Sequence, residues 1–223
     1  MSAQVESVNV GTGNDVQQRG RTRRTGIDKR PVDGPVRVGR LGIEGDRQFD
    51  TRHHGGVDQA VYVYAGEDLD DWALRLDRTL TPGSFGENVT VRGMDVNEAR
   101  IGERWRIGGV VVEVADVRTP CATFQAWLQE PKWIRRFTEV GRCGAYLRVL
   151  EEGTLQAGDT VEVVQTRPHD VTVGLVFRAL MTDRSLLPQL LVEPRLPKWL
   201  RADAEKYLET EARAAAPQDA RSA

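Results

Sequence analysis

The chain has 223 residues and a mass of 24.9 kDa, which allows one ordinary domain or one domain with a small appendage. At 39% hydrophobic and 29% charged residues it is too apolar for a disordered chain. With 31 Lys and Arg against 33 Asp and Glu the net charge is -2, which argues against a general nucleic-acid binder but not against a local basic site.

No apolar run approaches the roughly 20 residues of a membrane span. The N-terminal MSAQVESVNVGTG lacks the charged-then-apolar form of a signal peptide. Two cysteines, Cys121 and Cys143, cannot build a disulfide scaffold, so a cytoplasmic location with reduced thiols is expected.

Read in chain order, VESVNV (5–10) is the first expected strand. Residues 17–40 follow with eight Lys and Arg against Asp28 and Asp33, a local charge of +6. This is either a solvated basic loop or an anion site. GIEGDRQFDTRHHGGVDQAVYVY (42–64) then sets two histidines and two Gly-containing turns against the strand VYVYA (61–65). Gly55 and Gly56 permit close backbone approach, with N–H groups offered to an anion. His53 and His54 point to opposite faces of an extended segment and cannot easily chelate one metal; each is a surface imidazole or a functional one. Asp46 is either a turn acid or a group that orients a histidine or arginine.

A helix is expected over about 67–76, with Leu69, Trp72, Ala73 and Leu76 on one face. PGSFGENVT (82–90) is a glycine-rich loop in which Asn88 either holds a turn or binds a polar heterocycle. WRIGGVVVEVADV (105–117) reads as a hairpin turning at Gly108–Gly109. RTPCATF (118–124) places Cys121 between that strand and a helix expected within 123–138, with Phe124, Trp127 and Leu128 inward. Cys121 is either a small buried hydrophobe or a thiolate favoured by Arg118 and helix N–H groups. Cys143 reads as structural. AYLRVL (145–150) and DTVEVVQ (159–165) are further strands.

Glycine nearly disappears beyond Pro168. Leu175, Phe177, Leu180 and Met181 suit a short helix. Ser185 is a candidate cap for a second, with Pro188 in its first turn. Trp199, Leu200, Tyr207 and Leu208 suit a third. The expected organisation is a β domain over 1–167, a three-helix domain over 168–210 and a flexible tail over 211–223. No zinc spacing, P-loop, dinucleotide fingerprint or nucleophile elbow is present.

DKRPV (28–32), LGIEGDRQFDTRHHGGVDQAVYVYAGEDLDDW (41–72), PGSFGENVTVRG (82–93), IGERWRIGGVVVEV (101–114), RTPC (118–121) and GAYLRVLEEGTLQAGD (144–159), in this order, resemble the MOSC family (molybdenum cofactor sulfurase C-terminal domain), in its YiiM-like branch. The resemblance implies a mainly β fold, an irregular β-barrel with a few helices, that binds molybdenum cofactor (molybdopterin). It implies Cys121 as the molybdenum ligand. It implies Lys29, with Asp46, Arg47, His53, His54, Gly55, Gly56, Asn88, Arg118 and Thr119, around the cofactor. Relatives often carry Ser or Thr where Arg30 stands, which replaces a hydroxyl contact with a phosphate donor.

The activity so implied is reduction of N-hydroxylated small molecules such as hydroxylaminopurine-type bases. His54, or His53, would donate a proton, since imidazole titrates near neutrality. The chain carries no flavin, haem or iron–sulfur motif, so a separate electron-donating flavoprotein reductase is expected as partner; no nucleic-acid or membrane partner is expected, and a homodimer is left open. The alternative is a sulfur carrier for cofactor handling, with a persulfide on Cys121.

Overall fold

The computed structural model describes residues 2–49 and 55–215. His53 and His54 lie outside the described residues.

The strands are β1 (Gln4–Val10), β2 (Asn14–Gln18), β3 (Arg21–Thr25), β4 (Arg30–Pro31), β5 (Val36–Gly39), β6 (Gly42–Ile43), β7 (Val61–Ala65), β8 (Val89–Arg92), β9 (Arg104–Ile107), β10 (Val110–Val117), β11 (Ala145–Glu151), β12 (Gly153–Leu155) and β13 (Val161–Gln165). The helices are α1 (Gly66–Leu76), α2 (Ala122–Leu128), α3 (Trp133–Val140), α4 (Val173–Met181), α5 (Leu187–Leu190) and α6 (Lys198–Ala215).

Eight strands form one mixed sheet in the order β13-β9-β10-β11-β7-β8-β1-β4; only β7 and β8 run parallel among its ladders. The expected barrel is not closed. The sheet's edges are β13 and β4, and the start of β1 meets the residues before β13 through single bonds such as Val5 N to Asp159 O at 2.8 Å. Bulges in the β10–β11 and β1–β8 pairings curl the sheet without zipping its ends. Helices are also more extensive than a mainly β description allows. The strands β5, β6 and β12 form a small second sheet, and β2 and β3 a separate hairpin.

Continuous apolar runs explain the central strands. Every residue of β7 and β10 is buried, since helices and loops cover both faces of the sheet there. The helix expected over 123–138 is divided. Gln129 and Lys132 take left-handed conformations around Pro131, so α2 and α3 meet at a corner. That corner folds Phe124, Trp133 and Phe137 onto Phe85 and Trp72, with ring centroids 4.6–6.2 Å apart. Phe85 is fully buried at the centre of this cluster. Phe85→Ala is therefore expected to cost about 3–5 kcal/mol, read as a lower urea midpoint at unchanged slope.

Beyond Pro168, α4 packs on β10. Two buried carboxylates tie this C-terminal segment down. Glu113 of β10 meets Arg104 (3.1 Å), Arg148 (2.6 Å) and Arg195; Glu193 meets Arg167 (3.2 Å) and His169. The turn before α5 is capped by Asp183, whose carboxylate accepts from Ser185 N at 3.0 Å, so Ser185 is the capped residue and not the cap. Pro188 stands in the first turn of α5. The helix α6 continues through Ala215, where a tail was expected from 211; residues 216–223 lie outside the described residues. No helix among the described residues is long and apolar enough to cross a membrane.

Candidate functional site

A cavity of about 520 Å³ opens between the β2–β3 hairpin, the loop before β7 and the end of β10. Its inner wall is buried: Lys29, Tyr62, Asn88, Arg118 and Tyr146. Its outer wall is exposed: Arg23, Arg24, Arg47, Gln48 and Phe49.

Cys121 lines this cavity and is partly buried. Thr119 precedes Pro120 and so cannot enter a helix early; the chain stays extended through Cys121 (φ -132°, ψ 170°) before α2 begins. The thiol is thereby carried at the end of β10, beside Arg118. That arginine is buried with Nη1 donating to the Tyr146 hydroxyl at 2.8 Å and its guanidinium over the rings of Phe124 (5.4 Å) and Tyr62 (5.7 Å). Burial works to lower its pKa, but Tyr146, Cys121 and Tyr62 raise it further, and the net direction is upward. Arg118 is a permanent cation facing the sulfur. Its Nε is buried and makes no hydrogen bond among the described residues.

Lys29 and Asp46 form a buried ion pair, their side chains 8% and 6% exposed. Asp46 also accepts from Gly11 N (2.8 Å) and Asn88 Nδ2 (2.9 Å). Burial pulls the Lys29 pKa down, with Arg118 adding to this, and Asp46 opposes them. Among the described residues, Asp46 thus orients a lysine. The Asn88 carboxamide is also committed internally: Oδ1 accepts from Tyr62 N at 3.1 Å. It joins the starts of β7 and β8 at the cavity wall.

Gly55 lines the cavity at φ 92°, and a Cβ there would fall 1.8 Å from Gln48 Oε1. Its N–H is not offered outward; it donates to Gln59 Oε1 at 3.1 Å, and Gln59 Nε2 donates to Asp116 at 2.9 Å. Gly56 is exposed and outside the cavity lining. Arg47 lines the cavity, whereas Thr119 does not and Thr123 does. Arg30 stands apart: its side chain is 68% exposed, pairs with Asp28 at 2.6 Å and is not among the described residues lining the cavity. Cys143 is fully buried, its Sγ 3.3 Å from Gly144 O, and burial holds its thiol well above the ordinary value.

Sequence reading missed Tyr62, Tyr146, Gln59 and Phe49 as wall residues, while Arg23 and Arg24 come from the basic stretch read as a solvated loop or an anion site. Alternation in VYVYA carried a signal for Tyr62; nothing local marked Tyr146, which reaches the cavity only through the β10–β11 pairing.

Two further carboxylates surround the site. Burial raises Glu87 to about 7 and Asp116 to about 6. Each binds a proton in the folded protein at pH values where the unfolded chain has lost it. Their contribution to stability is full below the ordinary carboxylate pKa and is lost as pH rises through the raised value. Glu87→Gln removes its share, so the urea midpoint of the wild type is expected to fall relative to the variant between pH 5 and pH 8.

The donor set fits molybdenum cofactor. A soft sulfur lies on the wall, a permanent cation whose buried Nε makes no hydrogen bond among the described residues stands beside it, and the cavity of about 520 Å³ is large enough for a small heterocycle.

The MOSC domain model matches residues 50–162. The Bacillus subtilis protein YflK is 33% identical over 205 residues, covering 91% of this chain and 93% of YflK. A protein of Gibberella moniliformis named a reductase is 30% identical over 173 residues, covering 75% of this chain but 30% of that protein. The crystal structure of YiiM from Geobacillus stearothermophilus superposes with a TM-score of 0.76 at 28% identity, covering 92% of this chain and 99% of that one. With its open mixed sheet, its cysteine at the end of β10 and these likenesses, the chain is a YiiM-like member of the MOSC domain family.

Proposed function

We propose that the protein is a molybdenum-cofactor-dependent reductase of N-hydroxylated small molecules, hydroxylaminopurine-type bases among them. The observation that carries the reading is the cavity wall: a thiol beside a buried cation whose Nε makes no hydrogen bond among the described residues, with a buried Lys–Asp pair on the same cavity. Membership of the MOSC family and the name of the Gibberella relative support it.

Reduction of N–OH to N–H takes up two electrons and two protons and releases one water. The cofactor, when bound, supplies the two-electron centre. Cys121 provides a sulfur ligand, and Arg118 holds that ligand's charge. The Arg118 Nε, which makes no hydrogen bond among the described residues, would donate to the bound heterocycle. Arg47, on the exposed wall, would meet its phosphate, while the Lys29–Asp46 pair, itself neutral, keeps the inner wall rigid. His54 or His53 delivers a proton to the departing hydroxyl. A separate flavoprotein reductase, in the cytoplasm, supplies the electrons.

The test is purification from cofactor-competent cells, with molybdenum and released pterin measured against protein. Near-stoichiometric metal and pterin, and reduction of hydroxylaminopurine with a supplied flavoprotein, are expected. Protein carrying a persulfide on Cys121 with neither metal nor turnover would overturn the reading in favour of sulfur transfer.

A further inference from the structure

We propose that the exposed wall built from the β2–β3 hairpin and Phe49 recognises a phosphate and a base together, so that the preferred substrates are N-hydroxylated nucleotides and not free bases. This rests on the reductase reading above and specifies its substrate class.

The charge distribution comes first. The described residues lining the cavity include five cations, Arg23, Arg24, Lys29, Arg47 and Arg118, and no carboxylate. Lys29 is neutralised by Asp46 directly behind it. Arg118 is buried at the Cys121 end and engaged with Tyr146. That leaves Arg23, Arg24 and Arg47 on the exposed wall. A single cofactor phosphate does not account for three arginines, two on β3 of the hairpin and one on the loop after β6. Arg24 pairs with Asp15 at 3.3 Å with both side chains more than half exposed. Such a pair is weak and exchanges readily for phosphate, which the guanidinium fork fits better.

The second observation is the placement of Phe49. Its ring lies over Gly13, where a Cβ would come within 2.4 Å of it; only glycine leaves the ring this seat. Arg24 sits 5.7 Å from the ring centroid. The ring remains 40% exposed and lines the cavity. An exposed aromatic face beside unburied guanidinium groups suits a planar base joined to an anion. The hairpin that carries Arg23 and Arg24 pairs with neither other sheet. It contributes Thr25 as well as the two arginines to the cavity, and its Val16 is buried against the body.

The experiment compares hydroxylaminopurine as free base, as nucleoside and as 5′-monophosphate, in wild type and Arg23→Ala/Arg24→Ala, with molybdenum content measured for both. A KM at least tenfold lower for the monophosphate than for the base is expected in wild type. The double variant should lower kcat/KM for the monophosphate at least tenfold more than for the base, at unchanged molybdenum content. Phe49→Ala should raise KM for base and monophosphate alike. Equal wild-type KM values overturn the nucleotide proposal and leave the reductase reading standing. Loss of molybdenum from the double variant also overturns it, by assigning these arginines to the cofactor. Should no N-hydroxylated form turn over, the reductase reading fails; calorimetry of adenosine 5′-monophosphate against adenosine on the purified protein then tests the wall alone, and equal affinities overturn it.

Discussion

Replacing Cys121 with alanine is expected to lower molybdenum content at least ~10-fold and turnover of an N-hydroxylated substrate at least ~100-fold, with little change in Tm. The residue is a partly buried cavity-wall position and its truncation removes a single sulfur, so little packing is lost. Cys143 is the control. Its thiol is sealed in the core and held in the protonated form by burial, and it cannot stand in as a ligand. Cys143→Ala should therefore keep the metal. Metal analysis, kinetics and thermal melts of the two variants check the assignment. A Cys121→Ala protein with full metal and full turnover would defeat it.

The second large effect concerns the Lys29–Asp46 pair. Asp46→Asn leaves a buried ammonium without its counter-charge and weakens the bonds from Gly11 and Asn88. A loss of about 3–5 kcal/mol is expected, the cost of breaking one half of a buried pair. The sign with pH follows from the lysine. Burial already lowers its folded-state pKa, and without Asp46 it is lowered further. The unfolded chain then holds more protons than the folded one, so stability rises with pH. The Tm deficit of Asp46→Asn is expected to be largest near pH 6 and to narrow toward pH 10. Lys29→Met/Asp46→Asn, which removes both charges together, should regain most of the stability, which separates the buried charge from the surrounding packing. A single variant as stable as wild type across that range would exclude the buried-charge account.

The central strands were legible because their signal is local. VYVYA, the Gly108–Gly109 hairpin and AYLRVL appear where their apolar runs place them, and α1 begins one residue before the expected span. The short strands β4, β5, β6 and β12 were not legible. Two to four residues carry no period, and they exist only because a partner strand supplies hydrogen bonds. The break between α2 and α3 was hidden for a related reason: the aromatic cluster rewards a corner at Pro131 that helical spacing alone does not announce. The hairpin over 14–25 was concealed where it enters the basic stretch, since alternation among exposed arginines gives no hydrophobic contrast.

For the site, the motif order picked out Cys121, Lys29, Asp46, Arg47, Gly55, Asn88 and Arg118, and the fold gathers these around one cavity. Arg30 shares the DKRPV motif with Lys29, yet its side chain leaves the site. Neighbours in an extended segment point to opposite faces, and Lys29 faces inward. Asn88 and Gly55 reach the wall with their polar groups already bonded to the protein.

By itself the sequence determined the family, the β-rich core and the residue types available for chemistry, because each is written in short stretches of chain. Only the tertiary structure decided which polar groups are spent on one another and which face the cavity. It also decided whether the sheet closes and which arginines share a wall with Phe49. Those outcomes depend on contacts between residues tens of positions apart, where burial and pairing, not local propensity, set the free energy.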